Sequence, residues 1–189
     1  MGTRQAVRTG GRSARVQQAV HEAVRALLAE RDRADLTVPL VAARAGVTPS
    51  TVYRRWGDLQ ELLADVALEH MRPDGPPADL GNLRDDLATW AEEWLEEMSS
   101  PTGRAFARDV VAGDDGSGRS TAQCCAYASS RIQIILTRAA GRGEDVPALD
   151  LVLDHVLAPM MYRVLFLSDS LAPGYGRALV DTLLGPSGG

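Results

Sequence analysis

The segment AGVTPSTVYRRWGD, Ala45–Asp58, constrains the fold of this chain more than any other. Its connection Gly46-Val47-Thr48 separates two short apolar patterns, and a threonine followed by proline is typical of a capped helix start. Two short helices joined by so few residues meet at a steep angle. The segment therefore predicts a helix-turn-helix whose second helix carries the adjacent arginines Arg54 and Arg55.

The remaining sequence predicts further helices and no sheet. Apolar residues recur at three- and four-residue spacings, and the 189 residues contain no run of alternating β-branched residues. Only 5% of the residues are aromatic. We therefore predict an all-α protein, in which an N-terminal three-helix helix-turn-helix domain is joined by a fourth helix to a larger helical domain.

Proline and glycine positions divide the chain. Three prolines and two glycines interrupt the helical pattern within residues 72–82, and we place the domain boundary there. The predicted parts are a flexible basic arm over residues 1–11, a helix-turn-helix domain over 12–72 and a larger helical domain over 79–185, with loops at 113–118 and 141–147. In the first domain, the predicted helices run from the N-cap near Ser13 to near Arg31, from the N-cap Thr37 to Gly46, from Pro49 after the N-cap Thr48, and from the N-cap near Asp58 to about Met71. In the larger domain, helices are predicted over Leu83–Met98, Pro101–Ala112, Ser120–Ala140, Ala148–Leu167 and Tyr175–Leu184.

The predicted helix Ala148–Leu167 is apolar nearly all round. Such a helix must be covered both by its own core and by a partner, which predicts a homodimer through the C-terminal helices. Its charged residues and His155 argue against a membrane span. Pro159 leaves the His155 carbonyl without its usual helical donor, so we expect a kink there.

The distribution of charge predicts contact with a polyanion. The net charge is −5. Residues 1–56 carry ten arginines against four acidic residues, a net of +6, while the remainder carries ten arginines against twenty-one acidic residues, a net of −11. A basic first third on an acidic body is the pattern expected of a protein that meets nucleic acid at one end.

Several function classes find no support in the sequence. We see no catalytic triad, phosphate-binding glycine loop or metal cluster, so we expect neither an enzyme nor a cofactor. Cys124 and Cys125 are adjacent, which is a poor geometry for a mutual disulfide, and we expect small buried thiols, with a redox sensor as the alternative. The absence of a signal-peptide pattern and the free thiols predict a cytoplasmic protein.

The stretch LTVPLVAARAGVTPSTVYRRWGDLQELL, Leu36–Leu63, resembles the TetR family of bacterial transcription repressors. The Ala-Gly-Val-Thr turn, the spacing of Tyr53 and Trp56 and the following leucines carry the resemblance. It covers about the first seventy residues closely, and the rest matches in layout, as helices that in the family form a ligand-binding and dimerising domain. The segment APMMYRVLF, 158–166, also looks like part of the dimer helix of some members.

The resemblance implies a homodimeric regulator that binds a palindromic operator as a repressor and is released by a small-molecule effector. It implies that the third helix lies in the major groove, with Pro49 against a thymine methyl, Ser50 and Thr51 as small donors or acceptors, and Arg54 against guanine. The expected backbone contacts come from Thr37, Thr48, Tyr53 and Arg55, and from Arg4, Arg8 and Arg12 of the arm. For Tyr53 and Trp56, core packing is the alternative, and for Trp56 it is the one we favour.

The sequence departs from the family pattern at the start of the fourth helix. Leu59 stands where members often have a lysine that touches a phosphate, and Val38 and Pro39 stand where some members reach DNA. A helical ligand-binding protein without sequence-specific DNA binding is therefore the alternative function. The positive charge of residues 1–56 argues against it.

A second set of residues is expected to line an effector cavity in the larger domain. Aromatic and thioether side chains on its helices suit an apolar or aromatic effector, although core packing accounts for each of them individually. The expected residues are Trp90, Trp94, Phe106, Tyr127 and Met160.

Overall fold

The computed structural model describes residues 10–113, 119–167 and 171–186, and all regular secondary structure in these ranges is helical. The chain forms two compact units, Met1–Val66 and Ala67–Gly189. The predicted fold class is therefore confirmed, with a small helix-turn-helix unit followed by a larger helical unit. The helices are α1 Gly10–Glu30, α2 Val38–Ala45, α3 Pro49–Trp56, α4 Leu59–His70, α5 Leu83–Ser99, α6 Pro101–Ala112, α7 Arg119–Gly141, α8 Leu149–Val152, α9 Ala158–Phe166 and α10 Tyr175–Leu184.

The predicted boundaries agree with the structure for α6 and α10, and the predicted start of α1 is wrong. The first helix begins at Gly10, three residues before Ser13. Ser13 is not a cap because it lies inside the helix, where its hydroxyl accepts a hydrogen bond from Arg55 of α3. The arm residues Arg4 and Arg8 and most of the loop expected at 113–118 lie outside the described residues.

The small unit is held by a core to which all four of its helices contribute. Helices α1 and α2 pack along each other, and α3 contributes Val52 and Trp56. The fully buried side chains of this core are Val20, Val24 and Leu27 of α1, Val41 of α2, Val52 of α3, and Leu62 and Val66 of α4. Since α3 is too short to be stable alone, this core and the contacts around it determine its position.

The larger unit buries α5 among α7, α9 and α10. Trp90 and Leu87 of α5 pack with Ile132 and Ile135 of α7, and Val180 of α10 closes the other side. Helix α10 approaches α5 closely at Gly176, where an added Cβ would lie 3.0 Å from the Ala91 side chain. The larger unit thus has a core of its own.

Two arginines of α7, together with Arg142 directly after it, hold the proline-rich segment that follows α4. Arg131 donates to the Gly75 carbonyl at 2.7 Å and Arg138 to the Pro77 carbonyl at 2.9 Å. Arg142 pairs with Asp79 at 3.1 Å and with the buried carboxylate of Asp86 at 3.0 Å. The segment is irregular because of its prolines, yet its carbonyls have defined partners on α7.

The long apolar helix predicted over 148–167 contains a π-helical turn, Leu153–Leu157, between α8 and α9. In this turn the Ala158 N–H donates to the Leu153 carbonyl, five residues back. Pro159 has no N–H for the His155 carbonyl, and a π turn is one way in which a helix accommodates such a lost bond. The break therefore falls where Pro159 predicts it.

Gly103 is a position at which the packing of α6 against the end of α5 is testable. An added Cβ would lie 2.7 Å from the Met98 Cα and would also overlap the Glu97 carbonyl oxygen. We expect Gly103→Ala to reduce the free energy of unfolding by about 1–3 kcal/mol, as overpacking does. Thermal denaturation followed by circular dichroism measures this loss.

Gly141→Ala is the matched control, since a Cβ at Gly141 meets no atom within 4 Å. That change should leave the melting temperature unchanged or raise it slightly, because alanine reduces the freedom of the unfolded chain. Equal melting temperatures for the two variants would contradict the packing described for Gly103.

Candidate DNA interface and effector cavity

The turn between α2 and α3 is a helix C-cap that requires glycine. Gly46 has φ 68° and ψ 30°, in the left-handed region. The Val47 N–H donates to the Ala42 carbonyl at 3.0 Å, and the Gly46 N–H donates to the Ala43 carbonyl at 3.3 Å. This pair of bonds is the Schellman motif, which ends α2 and allows α3 to begin three residues later.

Hydroxyl groups gather at the N-terminus of α3. The Thr48 Oγ1 lies 3.0 Å from the Ser50 Oγ and 2.9 Å from the Thr51 Oγ1. Thr48 occupies the N-cap position, as predicted, but its side chain makes no capping bond to the backbone. The N–H groups of the first turn and these hydroxyls therefore form one polar surface beside Pro49.

The outward face of α3 carries most of the residues predicted to bind DNA. Tyr53 is 49% exposed, and Pro49, Ser50 and Arg54 are exposed as well. Core packing is therefore wrong as an account of Tyr53. Arg54 has no hydrogen-bond or ion-pair partner within the described part of the chain, so its guanidinium is available to a ligand.

Arg55 points from α3 toward α1. Its Nη1 donates to the Ser13 hydroxyl at 2.7 Å and to the Ser13 carbonyl at 3.2 Å, and its Nη2 donates to the Gln17 side chain. The guanidinium carbon also lies 5.2 Å from the Trp56 ring centroid. Arg55 thus joins α3 to α1, and contact with a DNA phosphate remains a prediction for it.

Trp56 is buried, as favoured from the sequence, and leads to a carboxylate that the sequence analysis missed. The Asp65 Oδ2 of α4 accepts from the Trp56 Nε1 at 2.7 Å and lies 2.9 Å from the Nε2 of fully buried His21. The Gln17 Nε2 donates to the same oxygen at 3.2 Å. The sequence signal that could have identified Asp65 is its position as a polar residue among the apolar residues Leu62, Leu63 and Val66.

The pKa of Asp65 lies below its ordinary value. Burial of the carboxylate raises the pKa, but the hydrogen bonds from His21 and Trp56 and the nearby charge of Arg55 lower it by more. Asp65 is therefore ionised at neutral pH and only accepts hydrogen bonds. The His21 Nε2 must then be the donor in their contact.

The remaining predicted DNA contacts lie at the start of α2 and on α1. Thr37 is exposed and caps α2, accepting from the Leu40 N–H at 3.4 Å. Arg12 is exposed in the first turn of α1 and lines a groove with Arg15 and Val47.

Two of the departures from the family pattern have a packing role. Val38 is buried in the core of the small unit, and Leu59 packs against that core. Neither side chain is therefore placed to replace a polar contact to DNA.

The larger unit contains a cavity of about 230 Å³. Three of the residues predicted to meet an effector line it, namely Trp90, Trp94 and Tyr127. The last turn of α4 and the residue after it also contribute, through His70 and Met71. Aromatic and sulfur-bearing side chains from several helices therefore form part of the cavity wall.

Phe106 and Met160 lie outside the lining of this cavity within the described ranges. Phe106 packs in a small apolar cluster, with its ring centroid 4.6 Å from that of His70. Met160 is fully buried in the core, and its neighbour Met161 faces the cavity instead. A ligand contact for Phe106 or Met160 remains a prediction.

The two cysteines are free thiols with different surroundings. Burial raises the pKa of the Cys124 thiol to about 11, and its Sγ lies 3.8 Å from the Met71 Sδ. Cys125 is exposed, so the expectation of two buried thiols is wrong for it. The side chains of adjacent helical residues point about 100° apart, so Cys124 and Cys125 cannot both be fully buried in the same core.

In the part of the chain that the structure describes, no helix is both long and apolar enough to cross a bilayer. In the same part, no three His, Cys, Asp or Glu side chains are grouped as they would be around a metal ion.

Comparison with known families identifies the class of this protein. Residues 21–66 match the profile described as bacterial regulatory proteins, tetR family, and residues 77–183 match that described as tetracyclin repressor-like, C-terminal domain. Together the two matches span the helix-turn-helix and most of the larger unit. The chain therefore belongs to the TetR family and is a helix-turn-helix transcriptional regulator.

Individual relatives agree with this assignment. An HTH-type transcriptional regulator of Mycobacterium tuberculosis is 32% identical over 165 residues, covering 85% of this chain and 82% of the relative. The HTH-type transcriptional regulator AqdR of Rhodococcus erythropolis is 32% identical over 104 residues, covering 55% of this chain and 50% of AqdR. A crystal structure of a putative TetR-family regulator from Mesorhizobium loti shares the fold, with a TM-score of 0.58 at 18% identity over 92% of this chain and 96% of that one.

The hydrogen bonds of Asp65 generate a prediction of pH dependence. We expect Asp65→Asn to weaken the small unit by about 1 kcal/mol at pH 7, a modest value because the carboxylate is 37% exposed. A lowered pKa stabilises the fold above the ordinary pKa of about 4 and loses that effect as the pH falls through the lowered value. The difference between the two proteins should therefore shrink as the pH is lowered from about 4.

Hydrogen exchange of α1 peptides measures this effect in the small unit alone. Asp32→Asn is the control, because the Asp32 side chain makes no capping bond to the backbone. If Asp65→Asn leaves α1 exchange unchanged at pH 7, the network does not stabilise the unit.

Proposed function

We propose that this regulator is a homodimeric repressor that binds a palindromic operator through α3 and releases it when a small molecule occupies the cavity. The exposed face of α3, held by the Asp65 network, is the observation that carries the proposal. The proposed activity is binding alone, without covalent chemistry, and it takes place in the cytoplasm where the DNA lies.

The residues of α3 suit contact with the major groove. The hydroxyls of Thr48, Ser50 and Thr51 and the first N–H groups of the helix offer donors to phosphates and base edges. Arg54 presents a planar fork without a partner in the described ranges, which matches the two acceptors on the major-groove edge of guanine. We assign base recognition to Arg54 and positioning on the backbone to the hydroxyl cluster, Tyr53 and Thr37.

Arg55 has a different role in this proposal. Its bonds to Ser13 and Gln17 join the C-terminal end of α3 to α1. A guanidinium has five N–H donors, so it can meet a phosphate while retaining some of these bonds. We propose that Arg55 first orients α3 and then contributes charge toward the DNA backbone.

The exposed apolar face of α8 and α9 supports the homodimer. Tyr162 is 57% exposed and Phe166 70% exposed, and their ring centroids are 5.3 Å apart. Leu151 and Leu167 are exposed as well. Large apolar side chains exposed in this number on and beside two successive helices are typical of an interface, and a second copy of the chain presents an identical surface about a two-fold axis.

The place of α4 supports the proposed release by an effector. His70, the last residue of α4, and Met71 after it line the cavity, and the N-terminal end of the same helix follows α3 closely along the chain. A ligand that binds better when α4 is displaced favours that arrangement by its difference in affinity. Displacement in both protomers changes the separation of the two α3 helices and weakens operator binding.

Selection from random DNA duplexes tests the assignment of Arg54. The protein should enrich an inverted repeat, and Arg54→Ala should lose about 1–3 kcal/mol of affinity and relax the preference at one position in each half-site. Arg12→Ala should instead weaken binding to all sequences alike, because we assign the Arg12 side chain to a phosphate. The slope of the logarithm of the binding constant against the logarithm of the salt concentration should become shallower by about one.

Equal losses on every sequence from the two substitutions would contradict base recognition by Arg54. If the wild-type protein enriches no sequence at moderate salt, specific DNA binding by the free protein is wrong. A ligand-binding role without sequence-specific DNA contact then becomes the better account.

The oligomeric state tests the interface. We expect Phe166→Glu to convert the dimer to a monomer in sedimentation velocity, because it buries a charge in an apolar contact. Val111→Glu is the matched control, since Val111 is likewise exposed, at 59%, but belongs to α6 and not to α8 or α9. A wild-type monomer, or a dimer that persists in Phe166→Glu, would contradict the assignment.

A further inference from the structure

The wall of the cavity is rich in sulfur. The chain contains five methionines and two cysteines. Five of these seven side chains line the cavity, namely Met71, Met98, Cys124, Cys125 and Met161. Among the described residues, Leu157 is the one branched aliphatic side chain in the lining, although leucine and valine form much of the buried core.

Aromatic rings complete the wall. Trp90 and Met98 are buried, while Trp94, Tyr127 and Met161 are half-buried and present part of their surface to the cavity. Cavity and core therefore differ in chemistry within one unit. The core is mainly aliphatic, and the cavity wall is polarisable.

Charged groups around the cavity carry both signs. The His70 Nε2 lies 4.0 Å from the Glu97 Oε1, and the Arg131 Nη1 donates to the Gly75 carbonyl at 2.7 Å. Arg72, Asp74 and Glu93 add further charges of both signs. Because neither sign dominates, the shape and polarisability of a ligand are better selected here than its charge.

Sulfur and aromatic walls distinguish a flat ring from a saturated skeleton of the same size. A thioether contacts an aromatic ring favourably at about 5 Å, often at the ring edge. Indole and phenol rings add offset or edge-to-face contacts with an aromatic ligand. A saturated ligand gains from leaving water but lacks these contacts.

We propose that the cavity binds a planar aromatic small molecule and selects it over saturated molecules of the same skeleton. This inference rests on the proposed effector role of the cavity. It assigns the ligand by the chemistry of its ring, and Met161, Trp94 and Tyr127 supply the selective contacts.

Titration calorimetry of the full chain with 2-naphthol and trans-2-decalol tests the proposal. The two probes share a bicyclic skeleton and a hydroxyl and differ in aromaticity. We expect 2-naphthol to bind at least about tenfold more tightly. Met161→Leu removes a sulfur at nearly constant volume and should reduce that preference by about two- to tenfold.

Met160→Leu is the matched control, because Met160 is fully buried outside the cavity lining. It should leave the preference unchanged. Equal affinity for the probes, preference for the decalol, or binding of neither probe by protein that still selects its DNA sequence would overturn the aromatic assignment. An unchanged preference in Met161→Leu would overturn the role given to sulfur.

Selection from random duplexes on the same preparations separates this inference from the proposed function. Preference for 2-naphthol in a protein that selects no DNA sequence supports the ligand class and contradicts operator binding. Tight 2-naphthol binding that leaves operator affinity unchanged supports the ligand class and contradicts release by the effector.

Discussion

The carboxylate of Asp65 is the interaction on which the presentation of α3 depends. One oxygen accepts from Trp56 of α3 and from His21 and Gln17 of α1, while the residue itself belongs to α4. An eight-residue helix such as α3 has little stability in isolation, so its orientation must come from its neighbours. Buried polar networks of this kind specify one arrangement because each donor would otherwise be left unpaired.

Local chemistry made the turn, the starts of α2 and α3 and the helical class predictable from sequence. Gly46, Thr37 and the Pro49 start each follow from a backbone requirement that one residue type meets. The contacts of Arg55 with Ser13 and Gln17 join residues about forty positions apart, and no local pattern specifies such a pairing. The exposed face of α3 was therefore predictable, whereas the arginine that turns back to α1 was not.

The cavity shows a second limit of sequence patterns. The four-residue spacing places Met160 on one helix face with Val152, Val156 and Val164, and all four side chains are fully buried. Periodicity therefore indicated that Met160 belongs to the core, but it could not show that the adjacent Met161 lines the cavity. Trp90 and Trp94 lie on the regular helix α5 and do line the cavity, and contact with an effector remains a prediction for both.

Chemical protection of guanine N7 in the enriched duplex is the most direct test that α3 reads bases. N7 lies in the major groove, and methylation by dimethyl sulfate reports whether a side chain covers it. The account predicts protected guanines in two symmetric half-sites whose centres are about ten base pairs, or a multiple of that, apart. It also predicts that Arg54→Ala restores the reactivity of one guanine in each half-site. Guanines as reactive as in free DNA, with contacts confined to the phosphates, would contradict the account.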